Sequence, residues 1–422
     1  MSMLSPFIHQ PSVRNLVRAR SLFAVALLLA SGLPLFSQEE TRAGQIERAR
    51  REKAANLSEP THNSAENALA FMEEKKVLQR FAQGYKGVRF KVGGLPTGQG
   101  FAFGTEYHNE QWADGNVHFR SSIGASVSRA ILMDAQITLP KLASEKVFIE
   151  GYAAHRNLPR IHYYGPGPDS EKSSRTNFRL EDTSFDGTLG VRPFPALRLG
   201  LTGGFVEMNT GPGNHDNFAS TEAVFTPLTT PGLDHQSDFL RGGVSAEVDY
   251  RDIPAGSPRS GGYYAAKFHY YDDRELGAHD FRLLDLEVQQ YFPFFNGKRV
   301  IALRARTMMT YENPNQTVPF YWQPVLGGSD DLRGFRPYRF YDNNLIVANV
   351  EYRWEAFSGL DMALFFDAGK VAPKRSQINF HNLETAAGFG FRFNGRNSVF
   401  LRLDFGFSHE GFQMWLKFAN PF

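Results

Sequence analysis

The chain has no cysteine in 422 residues, which excludes disulfide scaffolds, thiolate metal sites, cysteine nucleophiles and a lipidated N-terminal cysteine. It has almost no charge imbalance. Its 46 basic and 44 acidic residues leave a net charge of +2, too small to point to nucleic acid as a partner. It also lacks an apolar run long enough to cross a bilayer as a helix, which takes about 20 residues. Catalytic signatures are missing too. There is no H-E-x-x-H, the twelve histidines are dispersed, and Gly327-Gly328-Ser329-Asp330-Asp331 lacks the closing glycine of a nucleophile elbow. His409 beside Glu410 falls in an expected tight outer turn and reads as a surface pair rather than a base. The expectation is therefore a protein that is no enzyme and has no cofactor or metal site.

What the chain does have is aromatic residues, glycine and alternation. Aromatics make up 14% of it, with 38 Phe and 39 Gly, yet the mean hydropathy is −0.36. That pairing is expected when lipid-facing apolar residues alternate with polar residues facing a water-filled lumen. Along 399–407, Val399, Leu401, Leu403, Phe405 and Phe407 share one face, whereas Arg402, Asp404 and Gly406 share the other with Phe400. Phe389, Phe391 and Phe393 likewise oppose Gly388, Gly390 and Arg392. In the last such stretch, Phe412, Met414, Leu416 and Phe418 oppose Gln413, Trp415 and Lys417.

Arg14, Arg18 and Arg20 precede an apolar run over 21–30, followed by small residues and a proline up to Ser37. This is the pattern of a secretory signal peptide, assigned to 1–37. An exported chain that enters a membrane without spanning helices must do so as a closed barrel. Residues 38–83 are charged and helix-prone, which fits a partly helical or disordered periplasmic segment or, alternatively, a plug in the lumen. The barrel is assigned to 84–422. Its strands are expected at 84–93, 98–108, 116–126, 130–140, 145–156, 175–194, 196–207, 238–252, 260–272, 279–293, 297–312, 342–354, 360–368, 384–393, 397–407 and 411–418. Asn394-Gly395 suits a tight hairpin. Long loops face outward in bacterial barrels, so an even number of strands must separate any two of them. The long segments 159–174, 208–237 and 312–341 obey this only if the glycine-rich stretch 85–93 is a strand. The fold class is thus an all-β, antiparallel transmembrane barrel of about sixteen strands.

The most informative stretch is Leu326 to Asn344, LGGSDDLRGFRPYRFYDNN, inside a connection of some thirty residues. Loops of that length are usually functional or disordered. Leu332-Arg333-Gly334-Phe335 resembles the inward-folded sixth loop of the BamA/TamA superfamily, also called the bacterial surface antigen family. Leu332 stands where that motif has Val or Ile. Phe365-Phe366-Asp367-Ala368-Gly369 resembles the F-x-D-x-G motif of the same family, which receives the loop arginine on the inner wall. Tyr163-Tyr164-Gly165-Pro166-Gly167-Pro168 resembles a family turn.

The resemblance implies that Arg333 meets Asp367, flanked by Phe365 and Gly369. Gly334 is expected to supply a backbone turn and Phe335 to pack on the wall, with Arg336, Tyr338 and Arg339 adding contacts. Trp415, Phe418 and the terminal Phe422 resemble the aromatic C-terminal signal read by the barrel-assembly machinery. The implied function is insertion or translocation of a polypeptide or lipid at the bacterial outer membrane, through a weak seam between first and last strands. Gly84, Gly87, Gly93 and Gly94 would weaken the first strand. Implied partners are outer-membrane lipid, the assembly machinery and a polypeptide or lipid substrate. The alternative is a passive pore or structural barrel. Residues 38–83 are too few for a POTRA domain, so the chain reads as a barrel-only member.

Overall fold

The computed structural model describes Arg48 and residues 85–254, 256–394 and 399–418. The expected signal peptide, the helix-prone segment apart from Arg48, Gly84, Gly395 and Phe422 lie outside them. The described barrel falls within a compact unit of residues 76–422.

The first strands are β1 (Val88–Val92), β2 (Ala102–Trp112), β3 (Val117–Ser126) and β4 (Ile131–Leu142). The longest follow, β5 (Val147–Tyr163), β6 (Thr176–Phe194) and β7 (Leu197–Pro212). Next come β8 (Phe239–Asp249), β9 (Gly261–Asp273), β10 (Phe281–Phe294) and β11 (Arg299–Glu312). A small ribbon, β12 (Val325–Leu326) with β13 (Phe340–Tyr341), lies inside the long loop. The wall resumes with β14 (Asn344–Phe357), β15 (Leu360–Ala372), β16 (Glu384–Asn394), β17 (Val399–Ser408) and β18 (Gly411–Lys417). Among the described residues, all except β12 and β13 form one sixteen-stranded antiparallel sheet in which each strand pairs with its neighbours in sequence. The sheet curves back on itself. Lys417 Nζ donates to Thr97 Oγ1 at 2.7 Å and the Phe101 and Phe418 rings lie 6.2 Å apart, so the last strand stands beside the first hairpin.

The alternation sorts residues as a barrel requires. Leu364, Phe366, Phe389 and Phe407 face outward and are exposed, whereas Asp367, Arg392, Arg402 and Asp404 on the same strands face inward and are buried. With long loops on the outer side, the strand parity assigns each connection to one rim. Short turns at 113–116, 143–146, 195–196, 295–298 and 358–359 mark the periplasmic rim, and 164–175, 213–238 and 313–343 cover the outer end.

Four strand bounds need correction. The first strand is Val88–Val92 rather than 84–93, because Gly87, Gly93 and Gly94 adopt φ of 85°, 80° and 89° and bound the strand instead of lying within it. The second strand starts at Ala102 rather than 98, after a loop in which Gly98 and Gly100 also have positive φ. β5 runs on to Tyr163 and β7 to Pro212, well past 156 and 207. A register shift between Leu158 and Ile161 absorbs Pro159, which cannot donate to the ladder.

Those extensions carry an apolar dome. Phe320 from the long loop packs its ring 5.5 Å from Tyr163 and 4.9 Å from Phe178, and Tyr341 lies 5.0 Å from Tyr163. A second group gathers Val206, Met208, Phe239, Tyr271 and Phe281 around Trp322. Both groups pack across the outer end of the lumen.

Candidate functional site

The sixth outer connection, residues 313–343, leaves β11, makes a single turn at Phe320–Trp322 and enters the lumen between β12 and β13. The backbone reversal is made by Gly327 and Gly328, at φ 111° and 114°, and by Tyr338 at 57°. Gly334, expected to supply the turn, has no positive φ. It is instead a point of close approach. A Cβ there would come within 2.7 Å of Ala386 Cβ and 2.8 Å of the Phe407 carbonyl. Opposite, Gly406 on β17 clears room for the Arg333 backbone, with which any Cβ would collide.

The structure brings Arg333 and Asp367 together. Arg333 Nε donates to Asp367 Oδ2 at 2.9 Å and Nη2 to Oδ1 at 2.7 Å, and the Arg333 backbone N–H adds a bond of 3.1 Å to Oδ2. This is the bidentate fork that suits arginine and that lysine cannot copy. The guanidinium also lies 3.5 Å from the centre of the Phe365 ring. Arg333 is 1% exposed and Asp367 not at all. Burying such charges is costly unless they are paired and hydrogen-bonded, and here the pairing is extended in two directions.

On one side, Arg333 Nη1 donates to Glu351 Oε2 at 2.6 Å. Glu351, on β14, also accepts from Arg353 at 2.7 Å and from Arg392 at 3.1 Å. Arg392 on β16 reaches Asp404 on β17 at 2.5 Å, and Arg402 reaches the Ser329 carbonyl of the loop at 2.8 Å. On the other side, Asn349 bridges Asp367 Oδ1 and the Asp331 carbonyl at 2.8 and 2.7 Å. Arg304 on β11 holds the Asp330 carbonyl and the Asp331 carboxylate, both at 3.0 Å. The loop is thus gripped by β11, β14, β15, β16 and β17. The sequence placed Arg392, Arg402 and Asp404 on a lumen face but gave no sign that Glu351 would join three guanidiniums. That partnership spans strands and is invisible to alternation along any one of them.

Leu332 and Phe335 are fully buried with Leu345, Val347 and Ala386 on the wall, and the Phe335 ring also meets Phe340 and His409, each at 5.4 Å. Gly369 is inward-facing and takes no part in the charge network. Arg339 donates to Glu410 at 2.7 Å and to the Ser170 carbonyl at 2.6 Å. Glu410 therefore serves Arg339, and His409 contacts Glu384 at 3.3 Å rather than its sequence neighbour. The Tyr163–Pro168 turn docks on the long loop, with Gly167 N donating to the Tyr341 carbonyl at 2.7 Å. In this loop, burial raises the Asp342 carboxyl to about 6, against one backbone bond from Asn343, with Glu312 adding to the rise.

Trp415 turns inward, and its Nε1 donates to the Arg333 carbonyl at 2.7 Å, while Ser408 Oγ donates to the Gly334 carbonyl at 2.8 Å. The loop tip therefore also holds the last strand. Phe418 faces outward against Phe101. Where the first hairpin meets the last strand, Thr97 shares hydrogen bonds with Ser329 at 3.0 Å and Lys417 at 2.7 Å.

The opposite rim carries an exception to its short turns. Between β8 and β9, residues 256–260 fold inward. Arg259 there donates to both Asp361 oxygens at 2.8 and 2.9 Å and to the Gly297 carbonyl at 2.8 Å. Pro258 presents its carbonyl to Arg353 at 3.4 Å, so this strap touches the charge network from below.

A family model described as the Omp85 superfamily domain matches residues 122–413, from β3 to β18 and through the whole loop and its wall. Among solved structures, the barrel is similar to BamA from Haemophilus ducreyi lacking POTRA domains 1–3. The TM-score is 0.57 at 15% identity, over 78% of this chain and 69% of that one. It is similar to CdiB from Escherichia coli with a TM-score of 0.50 at 14% identity, over 79% of this chain and 61% of that one. No curated protein sequence matches the chain. At such identities the structural likeness is one of fold, but the family match covers well over half of the residues. The chain belongs to the Omp85 superfamily and is an outer-membrane β-barrel.

Proposed function

We propose that this barrel inserts or passes a polypeptide or lipid at the outer membrane, and that the wall parts where β18 meets β1. One observation carries this reading. The tip of the long loop is fixed to the wall by Arg333 through Asp367 and Glu351, and the same tip holds the last two strands through Ser408 and Trp415. A loop that only screened a pore would not need to grip the edge of the sheet. The short first strand, with five residues in register with β2, is a weak partner for closing a barrel. The apolar dome over the lumen speaks against a standing water-filled pore.

On this reading the protein is no enzyme. Outer-membrane lipid surrounds it, and the barrel-assembly machinery recognises its last strand through Trp415, Phe418 and Phe422. Residues 1–37 are removed on export, 38–83 remain in the periplasm and 84–422 form the barrel.

The test is reconstitution. Purified protein in liposomes should speed the folding of an unfolded outer-membrane barrel polypeptide, read as heat-modifiable mobility, and Arg333→Ala should slow it. Steady ion conductance in a planar bilayer with no effect on the substrate would establish the pore instead.

A further inference from the structure

We propose that the outer vestibule contains a binding site for a phosphate-class anion, built from Arg175 and Arg336 beside Tyr164. Tyr164 follows β5 and is buried, Arg175 immediately precedes β6, and Arg336 comes from the inward loop. Arg336 opens into a cleft of about 780 Å³ that Lys172, Ser173 and Arg339 also line.

The carboxylates of that cleft are already engaged. Glu410 accepts from Arg339 at 2.7 Å, and Glu171 accepts from the Ser173 hydroxyl at 2.9 Å. Among the described residues, neither Arg175 nor Arg336 has a carboxylate within ion-pair distance. Arg175 lies 4.0 Å from the centre of the Phe218 ring, and its Nη2 donates to His162 Nε2 at 2.7 Å. A guanidinium can only donate, so that imidazole nitrogen is an acceptor and the ring brings no compensating charge. Arg175 Nε is buried and has no hydrogen-bond partner. Burial lowers the Arg175 pKa from its ordinary value, and the neighbouring Arg336 charge acts in the same direction. Burial raises that of the Tyr164 phenol, against the pull of both arginines.

Two guanidiniums converging on one buried phenol, without an anion, is an arrangement that costs free energy unless something supplies negative charge. A phosphate fits it chemically. Its oxygens accept two planar forks at once, and an additional oxygen can accept from the phenol. The source is either free phosphate or the phosphorylated headgroup of a glycolipid in the outer leaflet. This site is independent of the translocation reading.

The experiment uses the full mature barrel in detergent, with folding of each variant verified by heat-modifiable mobility. Inorganic phosphate is titrated at constant ionic strength and the melting temperature is followed. Vesicles containing either bisphosphorylated or dephosphorylated lipid A form the second arm. The melting temperature should rise with phosphate, and apparent affinity should fall about tenfold or more for each guanidinium lost in Arg175→Gln and Arg336→Gln. Arg336→Lys should keep part of the response. Arg129→Gln, which removes an exposed charge from another outer loop, should change nothing. A response to phosphate in solution supports the site and marks a free anion, and a response to phosphorylated vesicles alone supports it and marks a headgroup. No response in either arm, or an undiminished response in both single variants, overturns the proposal.

Discussion

Deleting the Arg333 side chain is the most direct test of the loop lock. Arg333→Ala removes two bonds to Asp367, one to Glu351 and the contact with the Phe365 ring. Breaking a buried ion pair by removing one partner costs about 3–5 kcal/mol. Here the value should fall near the low end, at about 3 kcal/mol, because the orphaned groups keep other donors. Glu351 retains Arg353 and Arg392, and Asp367 retains Asn349. Asp367→Asn should cost less, since Arg333 keeps Glu351. The double variant should then cost less than the sum of the two, with a coupling of about 2 kcal/mol, inside the range for residues in contact. Arg333→Lys should recover under half of the loss, because an ammonium cannot reproduce the fork. The measurement is urea unfolding of the purified barrel, followed by tryptophan fluorescence. Costs that add to within about 0.5 kcal/mol would mean that the two residues do not act as one contact, and the reasoning would fail.

Gly334→Ala should displace the loop tip, since its Cβ would press on Ala386 and Phe407, at a cost of about 1–3 kcal/mol in the same assay; an unchanged midpoint would contradict the close approach. The Asp342 carboxyl, raised to about 6 against about 3.9 in the unfolded chain, binds its proton more tightly when folded. Stability from this group is therefore full below about pH 4 and lost as pH rises to about 6, so Asp342→Asn should stabilise the barrel at pH 7 but not at pH 4. Equal effects at both pH values would remove Asp342 as the cause. Because the chain has no cysteine, Arg259→Cys with Asp361→Cys should be joined by a short bifunctional thiol reagent in intact membranes, and failure to join them would mean that the strap does not cross to β15. Tags inserted in 213–238 should be reached by antibody on intact cells, and tags beside Asn394 only after permeabilisation; the reverse pattern would invert the strand parity.

Much of this was legible in the sequence because a barrel strand between lipid and water advertises itself by period-two alternation. The sixteen strands and their parity follow from it. The strand ends at 156 and 207 came out short for a physical reason. Beyond them, the inward face is Leu158, Ile161 and Tyr163 on β5 and Met208 on β7, apolar residues that pack under the dome. With no polar lumen face there is no alternation to read. Arg333 and Asp367 were legible only as motifs. Their wider circle could not be read, because Glu351, Arg392 and Asp404 meet through the curvature of the wall. In the sequence Trp415 resembles a recognition residue, and its bond to the Arg333 carbonyl adds a task that spacing cannot show.

The strength of the two edges differs greatly. β18 is fastened to β17 by its ladder and to the loop tip by Trp415, and through that tip to four further strands, β11, β14, β15 and β16. β1 has a five-residue ladder to β2, with glycines of positive φ at both ends. If the wall parts, the last strand is the post and the first hairpin is the leaf that swings. Thr97, between β1 and β2, is the catch that must let go of Lys417 and Ser329 before the leaf can move.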